Sequence, residues 1–277
     1  MSLSPLVICL HGFPDTPGSF DALAPLLRQG GYAVECPYLP GYASATQIPD
    51  GHYDLDTVSD HLLAAIESRR VSQSRDRPIH LVGHDWGAIA GFACVVKRPD
   101  LFASYTSLSI PYPLHWPSIL RKAPTYLRAA WYIQLFQLPH VPELLIRRQG
   151  LGFIERLLAS WSPGWQIPEE HLSHIKATLS SPGVLKAALA YYRSIPGLSR
   201  RCRRSRRLVS RPIEVPTLLV QGMRDACIPP ALWRVLDPSL FTRGCQHFTV
   251  DAGHFPQQEK PDEVCRALLE HLNRSTG

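Results

Sequence analysis

Gly83-His84-Asp85-Trp86-Gly87 is the stretch that decides the fold. Upstream, Arg77-Pro78 leads into the apolar run Ile79 to Val82. Downstream, Ala88 to Val96 is rich in small and apolar residues until Arg98-Pro99 ends the run. The pattern reads as strand, sharp turn and helix. Glycines flank the central triplet because such a turn is strained and a Cβ on either side would collide with its neighbours. The middle side chain is left exposed at a place where serine is the usual nucleophile. An Asp before a helix is also a common N-cap, so the pentapeptide alone leaves both readings open.

Its company decides between them. Leu6-Val7-Ile8-Cys9-Leu10 is a continuous apolar run of strand length that opens into His11-Gly12-Phe13-Pro14. Such a run suits a parallel strand buried on both faces. Pro216 to Val220 repeats the pattern and opens into Gln221-Gly222-Met223-Arg224-Asp225, and Phe248-Thr249-Val250 runs into Asp251-Ala252-Gly253-His254-Phe255. An acid and a histidine thus each follow a strand, and in open α/β sheets working groups collect at the carboxyl ends of strands.

With these motifs the chain resembles the α/β-hydrolase-fold epoxide hydrolases, which are relatives of the haloalkane dehalogenases. The segment His11 to Pro14 is similar to the family's oxyanion-loop motif, and Leu39-Pro40-Gly41-Tyr42 to its next turn. Gly83 to Gly87 is similar to its aspartate elbow, and Gly253-His254-Phe255 with Glu259 and Pro261 to its catalytic-histidine segment. The order nucleophile, acid, histidine is the α/β-hydrolase order. The resemblance implies a mostly parallel sheet flanked by helices, with a core of residues 1–110 and 213–277 and a helical cap inserted at 111–212. It further implies backbone donors at Phe13 and Trp86, a Phe13-Pro14 bond that is often cis, and lid tyrosines at Tyr132 and Tyr192. His11, Gly12 and Pro14 are then support for the oxyanion loop, and His11 is expected as a hydrogen-bonded structural histidine.

The chemistry required of these residues is coherent. An aspartate side chain, ordinarily titrating at about 3.9, needs no base before attacking carbon. Attack on an epoxide carbon leaves an ester on Asp85, whose hydrolysis needs an activated water. Histidine, with an ordinary pKa of about 6.5, suits that task when a carboxylate fixes its tautomer, which gives His254 and Asp225 their roles. The oxyanion forming on Asp85's own carboxyl carbon requires preorganised donors. The departing epoxide oxygen requires an acid, and tyrosine keeps its proton at neutral pH. Tyr191 and Tyr192 point about 100 degrees apart on a helix, so only one of them faces a given pocket well.

Two rival readings share parts of this pattern. A haloalkane or haloacid dehalogenase uses the same aspartate elbow, and Trp86 alone does not discriminate. Dehalogenases of the haloalkane type typically carry an amide residue where this chain has Phe13, and a halide needs no tyrosine acid. A non-catalytic ligand-binding homologue would be expected to lack the nucleophile, acid or histidine, and none of the three is missing.

The 277 residues, 45% hydrophobic, suffice for one α/β domain with an inserted lid. No stretch approaches the roughly twenty apolar residues of a membrane span, and Leu6 to Leu10 is too short for a secretory signal. Seven cysteines lie scattered with no C-x-x-C, a set that favours reduced thiols in the cytoplasm. Zinc spacings, a dinucleotide glycine fingerprint and a P-loop are all absent from the sequence, so no cofactor or metal is expected. The expected partners are a small apolar epoxide and water, and not nucleic acid. The net charge of +6 includes the run Arg200-Arg201-Cys202-Arg203-Arg204-Ser205-Arg206-Arg207, which reads as a solvated loop at the return from lid to core.

Tyr53 to Arg70 reads as a helix, with Val58, Leu62, Leu63 and Ile66 at helical spacing. Pro261 to Asn273 reads as another, opened by Pro261, Asp262 and Glu263 and striped by Val264, Ala267, Leu268 and Leu272. From about Pro111 to Pro212 strand-like alternation disappears, and Trp116, Trp131, Phe136, Trp161 and Trp165 are candidates to line a pocket beneath a helical lid. Phe13 is expected to turn its ring to that pocket. Relatives usually carry a further pair of strands before HGFP, so a smaller sheet, a covered edge or a late start is expected. An uncovered edge strand would pair with a second copy, which leaves monomer and homodimer both open.

Overall fold

The computed structural model describes residues 3–73, 76–114, 116–196 and 199–276. Its strands are β1 (Leu6–Leu10), β2 (Ala33–Glu35), β3 (Ile79–His84), β4 (Ser104–Leu108), β5 (Thr217–Gly222) and β6 (Cys245–Val250). They form one parallel sheet in the order β2-β1-β3-β4-β5-β6. Strand order reverses between β1 and β3, so a crevice opens beyond their carboxyl ends, where ligands bind in open α/β sheets.

The apolar runs are buried on both faces because residues alternate across the pleat. Leu6, Ile8 and Leu10 join one core with Leu81 and Leu219, while Val7 and Cys9 join the opposite core with Val82, Leu218 and Val220. Helices α1 (Leu23–Gln29), α2 (Leu55–Gln73) and α3 (Trp86–Lys97) cover the sheet, the last two packing together on one side. Asp54 starts α2 by accepting the Thr57 N–H at 3.2 Å, an N-cap bond that satisfies a donor the helix leaves open.

Between β4 and β5 lies a helical insertion: α4 (Trp116–Lys122), α5 (Tyr126–Ala129), α6 (Trp131–Phe136), α7 (Val141–Arg147), α8 (Gly152–Trp161), α9 (Glu169–Ser180) and α10 (Val184–Ser194). The chain returns through α11 (Arg200–Leu208), and after β6 it closes with α12 (Pro256–Glu259) and α13 (Pro261–Thr276). Val264, Leu268 and Leu272 of α13 are buried against the α1 side of the sheet. Truncating any of these to Ala would cost roughly 2–5 kcal/mol through lost transfer energy and the cavity left behind.

Three expectations are corrected. The arginine run is helix, not loop: Ser199 caps α11 through the Cys202 N–H, and Leu208 and Ser205 are buried. Arg201 pairs with Asp50 and Arg204 with Asp56, so two of the run's six arginines answer acids around the start of α2. β2 flanks β1, and the edge so formed is only three residues long; a short edge offers little to pair with. Trp131 is half exposed and turned away from the interior. Phe13 is fully buried among Phe136, Tyr192 and Trp161 and packs behind the pocket wall instead of facing it.

Candidate active site

Asp85 sits at the tip of β3 with φ 49° and ψ −120°, a region that side chains with a Cβ rarely occupy and that persists only where the surroundings enforce it. Enforcement comes from close packing. A Cβ on Gly83 would run into the Gly87 carbonyl, and one on Gly87 into the carbonyls of Leu10 and His11. Asp85 holds the N-cap position of α3 but makes no side-chain capping bond. Its carboxylate turns instead toward the β1 loop, where Oδ1 accepts the Phe13 N–H at 2.8 Å.

That loop is built to deliver the N–H. The Phe13-Pro14 peptide is cis, and Gly12 lies so close to Asp85 that a Cβ there would stand 2.5 Å from Oδ1. His11 is fully buried; its Nε2 accepts the Leu39 N–H at 3.1 Å, which leaves Nδ1 to donate to the Gly12 carbonyl at 2.9 Å. Burial disfavours the imidazolium and lowers its pKa to about 4. Trp86 is the first residue of α3, directly after Asp85.

His254 follows β6, and Asp225 follows β5. Nε2 of His254 lies 3.6 Å from Asp85 Oδ2, while Nδ1 bonds Asp225 Oδ2 at 2.8 Å. Asp225 Oδ1 is held by the N–H groups of Cys227 and Ile228 at 2.8 and 2.7 Å. Burial opposes the imidazolium, but the Asp225 carboxylate outweighs it and holds His254 well above the ordinary histidine range. Imidazole Nε2 has no hydrogen-bond partner among the described residues and is directed at the space beside Asp85.

The histidine's backbone is clamped by residues whose roles were not legible in sequence. Ser162 accepts the His254 N–H at 2.8 Å and donates to Glu259, whose carboxylate also takes the N–H groups of Gly253 and Phe255. The His254 carbonyl accepts from His84 Nε2 and Ser109 Oγ, both at 2.8 Å. His84 stood inside the elbow pentapeptide, and Glu259 in the histidine segment. Ser109 and Ser162 gave no signal, because isolated serines do not reveal what they face.

Above Asp85 a cavity is lined by Trp86, Ile89, Ile119, Tyr126, Tyr132 and Tyr192, among others. Tyr132 and Tyr192 are buried, with rings 5.8 Å apart. Burial, reinforced by the Asp85 charge among others, keeps both phenols well above the ordinary tyrosine range. Tyr132 Oη lies 3.4 Å from Cys227 Sγ. Among the described residues the Tyr192 hydroxyl has no hydrogen-bond partner, although the Asp85 carboxylate and the Trp86 indole lie near enough to act on it. Tyr191 points elsewhere and donates to the Pro40 carbonyl at 2.6 Å, tying α10 to the Leu39–Tyr42 turn.

Phe136 and Trp161 pack against Phe13 and Tyr132 without lining the cavity, and Trp165 stacks on Phe255. The Trp116 side chain lies outside the described residues. Tyr126, which sequence reasoning passed over, lines the cavity from a helix of four residues, too short to show periodicity. Among the described residues no group of His, Cys, Asp and Glu is arranged to hold a metal, and no helix is long and apolar enough to cross a membrane.

Known proteins carry the same architecture. The chain is 27% identical over 277 residues to the AB hydrolase superfamily protein YfhM of Bacillus subtilis (strain 168), covering 97% of this chain and 90% of that one. It is 28% identical over 305 residues to epoxide hydrolase A of Mycobacterium tuberculosis, with coverage of 97% and 90%. The crystal structure of epoxide hydrolase A from Mycobacterium thermoresistibile superposes with a TM-score of 0.76 at 23% identity, covering 98% and 91% of the two chains. A match to the family model described as "Alpha/beta hydrolase family" extends over residues 7–267. With nearly the whole chain inside that match, and elbow, acid and histidine each at a strand's carboxyl end, this protein belongs to the α/β hydrolase family.

Proposed function

We propose that the protein is an epoxide hydrolase that converts an apolar epoxide and water into a vicinal diol without a cofactor. The observation that carries this reading is one cavity lined by Asp85, Tyr132 and Tyr192 together. Asp85 attacks an epoxide carbon, the C–O bond breaks, and a tyrosine proton passes to the departing oxygen. His254, oriented by Asp225, then takes a proton from water as the water adds to the Asp85 carboxyl carbon. The N–H groups of Phe13 and Trp86 receive the oxyanion, and collapse releases the diol. Relatives named epoxide hydrolases support the reading, as does the expectation that a halide leaving group would need no phenol acid.

The core at 1–110 and 213–277 supplies nucleophile, base and oxyanion donors in this scheme, and the cap at 111–212 supplies the acids. A single turnover in heavy-oxygen water, with excess enzyme over styrene oxide, tests it. The label should enter the Asp85 carboxylate and reach the diol only in later turnovers. Label in the first diol with none in the protein would sink the covalent scheme, and preferential turnover of a chlorinated alkane would point to dehalogenation.

A further inference from the structure

The proposed reaction leaves protons in the wrong places. Ring opening transfers the Tyr132 proton to the product oxygen and leaves a tyrosinate. Hydrolysis of the Asp85 ester consumes water, restores the carboxylate and leaves one additional proton on His254. Epoxide plus water gives diol with no net proton, so the His254 proton must return to Tyr132 before the next turnover.

One residue touches Tyr132 and is tied through Asp225 to His254. Cys227 Sγ lies 3.4 Å from Tyr132 Oη. The Cys227 N–H binds Oδ1 of Asp225 at 2.8 Å, and the other oxygen of that carboxylate holds His254 Nδ1 at 2.8 Å. Cys227 therefore touches the phenol with its thiol and shares the Asp225 carboxylate with the imidazole through its backbone N–H. Trp161 packs on both Tyr132 and His254, with ring centroids at 5.0 and 5.4 Å, and closes the same corner. Tyr132, Cys227, Trp161 and His254 are each 3% exposed or less, so bulk water is a poor carrier here.

We infer that Cys227 is a positioning residue that relays the proton from His254 to Tyr132 and so resets the site between turnovers. The thiol gives its proton to the tyrosinate oxygen as the sulfur takes one from the imidazolium, and every group returns to its resting state. The inference rests on the epoxide hydrolase reading. Charge balance favours the direction: burial raises the Tyr132 phenol far above the histidine range, so tyrosinate is the stronger base. Burial also raises the Cys227 thiol, which keeps it protonated between turnovers.

The test uses the full chain with Cys227→Val, Cys227→Ala and Cys227→Ser, and styrene oxide as probe. Quenched-flow intact mass follows the ester on Asp85, and near-ultraviolet difference absorbance follows tyrosinate. In the Val and Ala variants the first turnover should stay within about twofold of wild type. Later turnovers should slow by about tenfold or more, the scale of a lost proton-transfer group, with a tyrosinate band persisting between them. Serine, which carries a transferable proton, should restore much of the rate, and added imidazole should speed the Ala variant but not wild type. Equal losses in first and later turnovers would make Cys227 a packing residue, and an unchanged steady rate in a folded Ala variant would equally overturn the relay. Absence of the Asp85 ester in wild type as well would overturn the hydrolase reading itself and the relay with it.

Discussion

Gly12→Ala offers a steric test of the site's construction. The added Cβ would stand 2.5 Å from Asp85 Oδ1 and 2.8 Å from the His84 carbonyl oxygen, and closer still to Asp85 Cβ. Neither neighbour yields easily. His84 Nε2 and carbonyl both belong to the clamped junction of β3 and the elbow, and Asp85 already occupies a strained backbone region. Reaching ordinary van der Waals separation requires the carboxylate to move by about 1 Å, a displacement that can cost about 100-fold in rate when reacting groups are involved. The same shift breaks the 2.8 Å bond from the Phe13 N–H, and loss of one oxyanion donor costs roughly 100- to 1,000-fold. Overpacking should lower stability by about 1–3 kcal/mol. Intact mass under single-turnover conditions gives the alkylation rate, and urea unfolding gives the stability. A variant of near-native stability that alkylates within a few-fold of wild type would refute the claim that Gly12 is required by the nucleophile.

Asp85→Asn should form no ester, whereas His254→Gln should form it and release product slowly; an unmodified His254→Gln protein after brief exposure to epoxide would contradict this division of labour. Tyr132→Phe and Tyr192→Phe should each slow epoxide opening by about 10- to 100-fold while affecting an alkyl chloride less, and equal losses on both substrates would remove the tyrosines as acids. Because water activation needs neutral imidazole, ester hydrolysis should rise with pH through a His254 value above the ordinary 6.5. Asp225→Asn should move that limb to lower pH, and a limb that stays in place argues against the pair. The lid is tied to the loop after HGFP by His171 of α9, 3.0 Å from buried Asp15.

For His171, burial pulls the pKa down but Asp15 raises it overall, so its contribution is complete below about 6.5 and fades as pH rises through the folded value. For Asp15, burial pushes up but His171 and the Thr16 N–H hold it low, so its contribution is present above the ordinary 3.8 and lost as pH falls through the folded value. His171→Leu should therefore cost about 3 kcal/mol between those limits and flatten the decline on the alkaline side. Urea midpoints from acid to alkaline pH that run parallel in variant and wild type would count against the latch.

Legibility in the sequence followed the range of the interactions involved. Leu6–Leu10 and Thr217–Gly222 were visible because a strand buried on both faces must be apolar throughout. β4 was invisible: Ser104-Tyr105-Thr106-Ser107-Leu108 has no apolar run, and the partners of its buried Tyr105 and Ser104 hydroxyls, Ala88 O and His80, are distant in sequence. The arginine run misled because charge suggests a solvated loop, while Ser205 and Leu208 on its inner face and the acids near α2 are what fold it as helix.

The sequence by itself determined the order of Asp85, Asp225 and His254, the strands that carry them, and the glycines without which the elbow could not turn, because each is a local consequence of backbone sterics and side-chain period. Only the tertiary structure decided which tyrosine faces Asp85, that Tyr191 is spent on Pro40, that Ser162, Ser109 and His84 hold the histidine, and that Cys227 touches Tyr132. Those contacts join residues as many as 170 positions apart, and no pattern of neighbours along the chain encodes a distance that folding alone creates.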